Sequence, residues 1–237
     1  MEIMRQYFTY NGKSSKDFEV WISGSGVYNS PGRDIDTIAV PGRNGDLTID
    51  NGRFFNIDIV YPAFIFESFL SNFSAFKAYM ASIRGYKRLE DTYHPDHYRL
   101  ARFKSELQPE MNVHNKIGSF DLVFDCDPRR FLKTGEVPFM LTSAGTIKNP
   151  TQFDSLPLIR AYGTGTLTIG DCSVVISTAN VYTDIDCEAQ EAYKGSTNCN
   201  NNIILGNGEF PKLSPGNNSI SFTGLTQVDI TPRWWTV

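Results

Sequence analysis

The sequence predicts a mainly β protein built in two parts, and three observations support this prediction. Short runs of alternating apolar and polar residues recur along the chain between turn pairs such as Asn-Gly and Pro-Gly. One segment, residues 69–83, has the apolar spacing of an amphipathic helix. The charges also divide unevenly, because residues 1–134 carry 17 basic and 17 acidic side chains whereas residues 135–237 carry 5 and 9. We therefore expect a domain boundary near residue 134.

Composition narrows the class of protein further. The 237 residues are 41% hydrophobic and 13% aromatic, which is enough for packed cores. The apolar runs are too short to span a membrane, and the opening residues MEIMRQYFTY lack the apolar core of a secretory signal. The acidic second half argues against nucleic-acid binding, which needs clustered lysine and arginine. The expected class is a β-rich protein with no nucleic-acid partner and no membrane insertion.

The first strands are expected in hairpins. An aromatic run over residues 7–10 followed by Asn11-Gly12 is typical of a tight β-hairpin. Strands are then predicted over residues 34–40, 47–49 and 55–61. The turns between them would fall at residues 41–45 and at Asn51-Gly52, and Pro62 would end the third strand. These elements predict a three-stranded meander.

A helix and a second hairpin follow. The predicted helix covers about residues 69–84, with Ser71 as its N-cap and Gly85 near its C-terminal end. Its apolar stripe consists of Phe69, Phe73, Phe76, Met80 and Ile83. The hairpin covers residues 86–103 and carries His94 and His97 near its tip. Two histidines without further ligands do not make a metal site, so no metal is expected there.

The strand over residues 117–132 is the last element expected in the first part. Phe120, Leu122, Phe124 and Cys126 alternate with polar or smaller residues, which predicts one buried and one mostly wet face. Pro128 is expected to stop this strand, because proline has no N–H for the ladder.

The second part is predicted to be an antiparallel β-sandwich or jelly roll. A connector over residues 133–145 and a loop over 146–154 would precede it. Its expected strands, with a bend over residues 163–165, cover residues 157–162, 166–169, 174–176, 181–185, 203–205, 219–222 and 227–231.

Candidate chemical groups are few. Asp184, Asp186, Glu188 and Glu191 crowd a short segment, and we expect an exposed, solvated charge cluster there rather than a calcium or catalytic site. No Ser-His-Asp set can be assigned, and the Gly-Lys-Ser triplet at residues 12–14 lacks the upstream glycine of a phosphate-binding loop. No catalytic residue and no cofactor are therefore expected.

The four cysteines, Cys126, Cys172, Cys187 and Cys199, show no CxxC spacing. Free thiols in a reducing compartment are the expectation, while a disulfide among the last three remains open.

Several segments together resemble one protein family. In the first part these are VPGRNGDL, YKRLEDTYHPDHYRLA and FDLVFDCDPRRFL, placed around the predicted helix. In the second part they are NPTQFDSLPLIRAYGTGTLTIG, VYTDIDCEAQEAYKG, FPKLSPGNNSISFTG and ITPRWW. Their content and order resemble the distal tail proteins of long-tailed bacteriophages, across nearly the whole chain.

This resemblance implies an architecture and a role. Residues 1–134 would form a ring-building β-sandwich with one helix, and residues 135–237 a galectin-like jelly-roll sandwich. Six copies would form a hub ring at the virion tail tip, made in the cytoplasm of a bacterial host from a phage or prophage gene. The ring would join the tail tube protein to a tail-tip fibre or tail-associated lysin, and could anchor a receptor-binding protein for host attachment. Loop tips project from sheets, so the candidate ring or partner contacts are Pro41, Arg43, Asn44, Asp46, His94 and His97.

The alternative is a carbohydrate-binding module that recognises cell-wall sugars. Galectin-type sites use a tryptophan face, which makes Trp234 and Trp235 the candidate sugar contacts. Alternation predicts that one of the two points into the core. The sequence contains no match to the His-Asn-Arg-Trp-Glu set of sugar-binding galectins, and a shared fold does not carry function.

Overall fold

The computed structural model describes residues 5–112, 114–179 and 181–237. These residues form two compact units, one comprising the chain up to Arg130 together with Val237, and the other Phe131–Thr236. Strands dominate both units, which confirms the predicted mainly β class.

The first unit is a β-sheet with one long helix, α1 (Phe69–Ser82), packed on it. Its strands are β1 (Phe8–Tyr10), β2 (Lys13–Ser14), β3 (Trp21–Ile22), β4 (Arg33–Ile38), β5 (Leu47–Phe54), β6 (Ile57–Ile65), β7 (Lys87–Asp91), β8 (His97–Phe103), β9 (Glu110–Asn112) and β10 (Ile117–Leu132). The main sheet has the strand order β2-β1-β7-β8-β10-β6-β3, and β9 adds to β10. Short 3₁₀ helices cover Ser15–Phe18 and Ser25–Tyr28.

Aromatic side chains dominate the core of this unit. The Phe124 ring lies 5.1 Å from Tyr10 and 5.6 Å from Phe8, centroid to centroid, both in edge-to-face contact. The helix meets this cluster through Phe76, whose ring lies 5.6 Å from Phe18 and 5.8 Å from the Phe120 ring of β10. Such offset and edge-to-face contacts are the favoured aromatic geometries. The core is therefore continuous from the sheet to the helix.

Several local predictions are confirmed. Asn11 and Gly12 both have positive φ, 50° and 80°, as a primed two-residue hairpin turn between β1 and β2 requires. The apolar stripe of the helix faces the core, with Ile83 partly buried just beyond the helix end. The buried members of the stripe are Phe69, Phe73, Phe76 and Met80. The predicted inward face of β10 is buried as well, at Phe120, Leu122, Phe124 and Cys126.

The helix begins differently from the prediction. Ser68, rather than Ser71, is the N-cap; it has φ 51° and makes no side-chain cap hydrogen bond. The Ser71 hydroxyl lies inside the first turn and donates to the Ser68 carbonyl.

Both proline predictions are wrong. Pro62 lies inside β6, opposite Asp121 of β10, and its carbonyl accepts a hydrogen bond from the Ser23 N–H. Pro128 lies inside β10, two residues beyond Cys126, where the pairing with β6 ends. A proline lacks only the donor, so a strand can continue through it where that donor is not needed.

The predicted meander is also wrong. β4 and β5 pair with each other in a separate sheet, and β5 does not pair with β6 in the described part of the chain. Asn51-Gly52 is not a turn but lies within β5, beside a register shift in the pairing of the two strands. Gly52 has φ +72° and its N–H donates to the Asp50 carboxylate, so the glycine accommodates a bulge.

The second unit is a β-structure around its own core. Its strands are the end of β10, β11 (Phe139–Leu141), β12 (Gly145–Asn149), β13 (Leu158–Ile169), β14 (Cys172–Ile176), β15 (Tyr182–Asp186), β16 (Glu191–Lys194), β17 (Thr197–Asn198), β18 (Ile203–Leu205), β19 (Gly216–Thr231) and β20 (Trp235–Thr236). The order is β11-β19-β13-β15-β16-β17, with β12 on β19, and β14 linking β13 to β18. All these pairings are antiparallel, as predicted.

Strand boundaries in this unit differ from the prediction. The two strands expected on either side of residues 163–165 form the single β13, which passes the bend through two register shifts against β19. The two strands expected over 219–231 likewise form the single β19. The connector and loop expected over 133–154 contain β11, β12 and a 3₁₀ helix over Lys133–Glu136. The glycine and threonine residues expected to end strands here lie at bulges within continuous strands.

The four cysteines are free thiols. Cys126, Cys187 and Cys199 are buried, and Cys172 is half-buried. Burial raises the pKa of Cys126 and of Cys187 to about 12. Within the described ranges, no helix is long and apolar enough to cross a membrane.

Candidate assembly arm and other candidate sites

A two-stranded arm is the least buried part of the first unit. The arm consists of β4, β5 and the turn between them, residues 33–54. Among the described residues, its two strands pair only with each other. An isolated two-stranded ribbon is marginally stable in water unless a surface packs against it. This arm is therefore the first candidate for an interaction surface.

Aliphatic side chains lie exposed on the arm. Ile38 stands opposite Leu47, and Asp36 stands opposite Ile49, so Ile38, Leu47 and Ile49 share one face. These three side chains are 44–48% exposed. Single exposed apolar residues are ordinary, but a cluster on a projecting ribbon indicates a contact with another surface.

Polar contacts hold the base of the arm together. Arg53 Nε lies 2.6 Å from Asp34 Oδ2, and the Asn51 amide donates to both Asp34 and Asp36 at 3.1 Å. Hydrogen bonds from Asn51 and Arg53 lower the pKa of the Asp34 carboxyl. These contacts cross between the two strands at the base of the arm, and Asp36 lies on the same face as Ile38, Leu47 and Ile49.

Four of the predicted contact residues lie at the tip of the arm. Pro41, Arg43, Asn44 and Asp46 are all exposed in the turn between β4 and β5. The Arg43 N–H donates to the Val40 carbonyl at 3.2 Å, which closes the turn. The structure thus brings these four residues together on one projecting tip, and they remain candidate contacts.

The other two predicted contacts, His94 and His97, lie apart from the arm tip in the hairpin formed by β7 and β8. Both are half-buried, and their ring centroids are 6.4 Å apart. His94 Nδ1 lies 3.4 Å from Asp91 Oδ1, and the Tyr28 ring packs edge-on against His94 at 5.3 Å. Both histidines therefore pack within the first unit, in addition to being candidate contacts with a partner.

We expect these histidines to make the stability of the first unit depend on pH. Burial, and next the positive charge of Arg130, lower the pKa of both His94 and His97. The unfolded chain then binds more protons than the folded chain at mildly acidic pH, so stability falls as the pH drops below the ordinary histidine value of about 6.5. Melting curves of the His94→Gln/His97→Gln double variant should depend less on pH between about pH 7 and 5 than those of the unmodified protein.

His114→Gln is the matched control for this prediction, because His114 is exposed. Its melting temperature should follow that of the unmodified protein at every pH. If the double variant keeps the pH dependence of the unmodified protein, His94 and His97 are not the source of that dependence.

The acidic residues of the second unit are not the solvated cluster that the sequence predicts. Asp184 is 4% exposed and forms a two-point ion pair with Arg160, at 2.6 and 3.0 Å. Asp186 forms a second such pair with Arg233, at 2.7 and 2.9 Å, and this hydrogen bonding lowers the pKa of Asp186. The prediction of a solvated face is therefore wrong for these two carboxylates, because arginines distant in sequence pair with them.

One of the two tryptophans is buried in the core, as predicted, and the other is half-buried. Trp234 is 2% exposed and belongs to the core of the second unit, which leaves its ring no free face for a sugar. Trp235 is half-buried, stacks on Phe153 at 4.3 Å and donates to the Asp154 carbonyl. Of the two candidate sugar contacts, only Trp235 keeps an accessible surface.

Comparisons with known proteins identify the fold. Neither a protein-family model nor a curated protein matches the chain. Solved structures do match, and the chain shares its mainly β fold with phage hub and baseplate proteins.

One such structure is the SPP1 Dit protein, described as a paradigm of the hub adsorption apparatus in phages that infect Gram-positive bacteria. It aligns with a TM-score of 0.75 and 13% identity over 98% of this chain and 99% of that chain. Two structures of the phage p2 baseplate in its activated conformation, with Ca and with Sr, align with TM-scores of 0.50 and 0.52 at 11% identity. They cover 96% and 95% of this chain, and 98% and 96% of the matched chains. The fold therefore agrees with the resemblance found in the sequence.

Proposed function

We propose that this chain is a structural distal tail protein of a long-tailed bacteriophage or prophage. The observation that carries the proposal is the end-to-end match to the SPP1 Dit hub protein, which covers nearly all of both chains. A match over both units is stronger support than a match to either β-sheet alone, because separate β-sandwich domains recur in many unrelated proteins. The proposed role is assembly rather than catalysis.

In this proposal six copies form a closed hub ring at the tail tip of the virion. The first domain, residues 1–134, would build the ring. The arm is its proposed contact element because it is exposed, carries aliphatic side chains on one face and, among the described residues, pairs with no third strand. A head-to-tail contact of this kind uses two different surfaces of each copy and forms a ring when the rotation closes. The arm tip, with Arg43 at its centre, and the His94–His97 hairpin would contact the neighbouring copy or tail protein.

The second domain, residues 135–237, would be the galectin-like outer domain. Its core is separate from that of the first unit, so it could present a docking surface without taking part in ring closure. Its proposed partners are a tail-tip fibre or tail-associated lysin and a receptor-binding protein, while the ring itself would meet the tail tube protein.

The test is the mass of the purified chain by light scattering, with negative-stain images of the same sample. One copy has a mass of 26.7 kDa, so a closed ring of six would weigh roughly 160 kDa. Six-fold rings with a central channel are the expected result. If the chain is a monomer, the measurement is repeated with the tail tube protein from the same phage. A monomer under both conditions would contradict the proposal.

A further inference from the structure

The chain contains four Asn-Gly pairs, at residues 11–12, 44–45, 51–52 and 207–208. Asparagine is a thermolabile residue. Its side chain is attacked most easily when glycine follows, because glycine has no side chain to keep its backbone nitrogen away. The attack needs a free asparagine side chain, a free glycine N–H and a backbone that can bend between them. The structure therefore determines which of the four pairs can react.

Hydrogen bonds hold the Asn51-Gly52 pair at the base of the arm. The Asn51 amide donates to Asp34 and to Asp36, each at 3.1 Å. The Gly52 N–H, which supplies the attacking nitrogen, donates to Asp50 at 2.8 Å. Both reacting groups of this pair are therefore occupied in the folded chain.

Two further pairs are held in a similar way. The Asn207 amide donates to Cys172 Sγ at 3.3 Å, and the Gly208 N–H donates to a backbone carbonyl at 3.3 Å. The Asn11 side chain hydrogen-bonds to the Tyr79 hydroxyl, and its backbone forms the tight turn between the paired strands β1 and β2. Each of these asparagines must break contacts before its side chain can meet the following nitrogen.

The Asn44-Gly45 pair at the tip of the arm is the exception. Within the described ranges, neither the Asn44 side chain nor the Gly45 N–H makes a hydrogen bond. Asn44 is exposed, and the strand ladder ends before it, at the pair formed by Ile38 and Leu47. No atom lies within 4 Å of the position that a Cβ on Gly45 would take, so open space surrounds the glycine. This pair has what the reaction requires.

We propose that Asn44 is a site of spontaneous deamidation, at which the tip of the arm acquires a negative charge. The Gly45 nitrogen bonds to the side-chain carbonyl carbon of Asn44, and the amide nitrogen leaves as ammonia with the proton of the Gly45 N–H. Water then opens the resulting succinimide ring at either of its two carbonyl groups. The products are aspartate and isoaspartate, and in isoaspartate the backbone is one methylene longer. Water is the only other reactant.

The modification changes the surface on which the proposed ring depends, and this step rests on the proposed function. Residues 33–54 carry three arginines and four aspartates, so a new carboxylate increases the net negative charge of the arm. A carboxylate must lose water to enter a contact, which costs free energy, and isoaspartate also alters the turn. A chain that is modified before assembly therefore joins the ring less readily than a newly made chain.

Timed incubation of the folded chain at mildly alkaline pH, followed by peptide mass spectrometry, tests the chemistry. Trypsin releases Asn44 and Asn51 in one peptide, residues 44–53, so fragment ions compare the two under identical handling. A sample taken at zero time corrects for deamidation during digestion. We expect Asn44 to convert at least about tenfold faster than Asn51, because the contacts of Asn51 must open first.

The same incubation in urea is the control, because the unfolded chain exposes both pairs equally. The two rates should converge there. Equal rates in the folded chain would overturn the proposal. A difference that persists undiminished in urea would overturn it as well, since that difference would come from the local sequence and not from the structure.

Light scattering of the variants Asn44→Asp and Asn44→Gln tests the consequence for assembly. Asn44→Gln keeps a neutral amide on a longer side chain, so it should assemble like the unmodified protein and resist ageing. Asn44→Asp carries the charge of the product and should need a several-fold higher protein concentration to assemble. Equal assembly of the two variants would overturn the effect on the ring. If even the unmodified protein forms no ring, the proposed function fails, while the rates at Asn44 and Asn51 still decide the modification.

Discussion

The Phe76→Asp variant is expected not to fold in its first unit. Phe76 is 1% exposed, and its ring contacts Phe8, Phe18 and Phe120 at centroid distances of 5.6–6.3 Å. Truncating a buried phenylalanine to alanine alone costs about 3–5 kcal/mol. A carboxylate at the same place adds the cost of a buried, unpaired charge, so the total approaches the whole stability of an ordinary domain, about 5–15 kcal/mol.

Circular dichroism melting and near-ultraviolet spectra of the variant measure this effect. The control is Leu70→Asp, which places the same charge on the same helix at a side chain that is 61% exposed. Leu70→Asp should melt within a few degrees of the unmodified protein. A Phe76→Asp protein that stays soluble and melts cooperatively at a similar temperature would refute the packing of α1 described above.

Loss of the proposed ring assembly is the second large effect expected, and it should follow from the double variant Leu47→Glu/Ile49→Glu. Both side chains lie on the aliphatic face of the arm and are 44% and 47% exposed. Fully burying a leucine or isoleucine contributes about 1.5–3 kcal/mol, so covering these half-exposed side chains contributes roughly 1 kcal/mol each per copy. Two carboxylates at such a contact remove that gain and add a desolvation cost at every interface.

The matched control places the same charges on the other face of the arm. Thr37 and Thr48 stand opposite each other, one residue away from the aliphatic positions, so their side chains point to the opposite face. Thr37→Glu/Thr48→Glu should retain the mass of the proposed assembly in light scattering, and circular dichroism spectra should show that both double variants are folded. Equal assembly in the two variants would remove the aliphatic face from the ring contact.

Local sequence patterns correctly predict the elements whose structure depends on residues that are close in the sequence. The Asn11-Gly12 turn needs only two positive φ angles, and the stripe of α1 needs only helical spacing. The effect of a proline, in contrast, depends on which ladder position it takes. The predictions for Pro62 and Pro128 are therefore wrong, because pairing between distant strands determines whether the missing donor matters.

Whether a polar side chain is buried or exposed depends on partners that are distant in the sequence, and residue spacing does not reveal them. Asp184 is buried because Arg160, 24 residues earlier, lies opposite it on the neighbouring strand. The arm shows the converse case, since its alternation resembles that of a core strand although its residues are mostly exposed. Arg99 also gave no signal in the sequence, because its burial arises from the packing of β8 beside β10. Only the three-dimensional structure distinguishes these environments.

Each unit contains a buried free thiol, and its reaction with an alkylating reagent would measure how often that unit unfolds locally. Cys126 lies in the first core, while Cys187 and Cys199 lie in the second. A thiol whose pKa is raised by burial is almost entirely protonated near neutral pH, and thiolate is the form that alkylating reagents attack. Half-buried Cys172 would react first, and each remaining thiol would then react at the rate at which its own unit opens. Mass spectrometry of a timed alkylation would therefore follow the opening of the two halves separately within the assembly proposed above, without any engineered label.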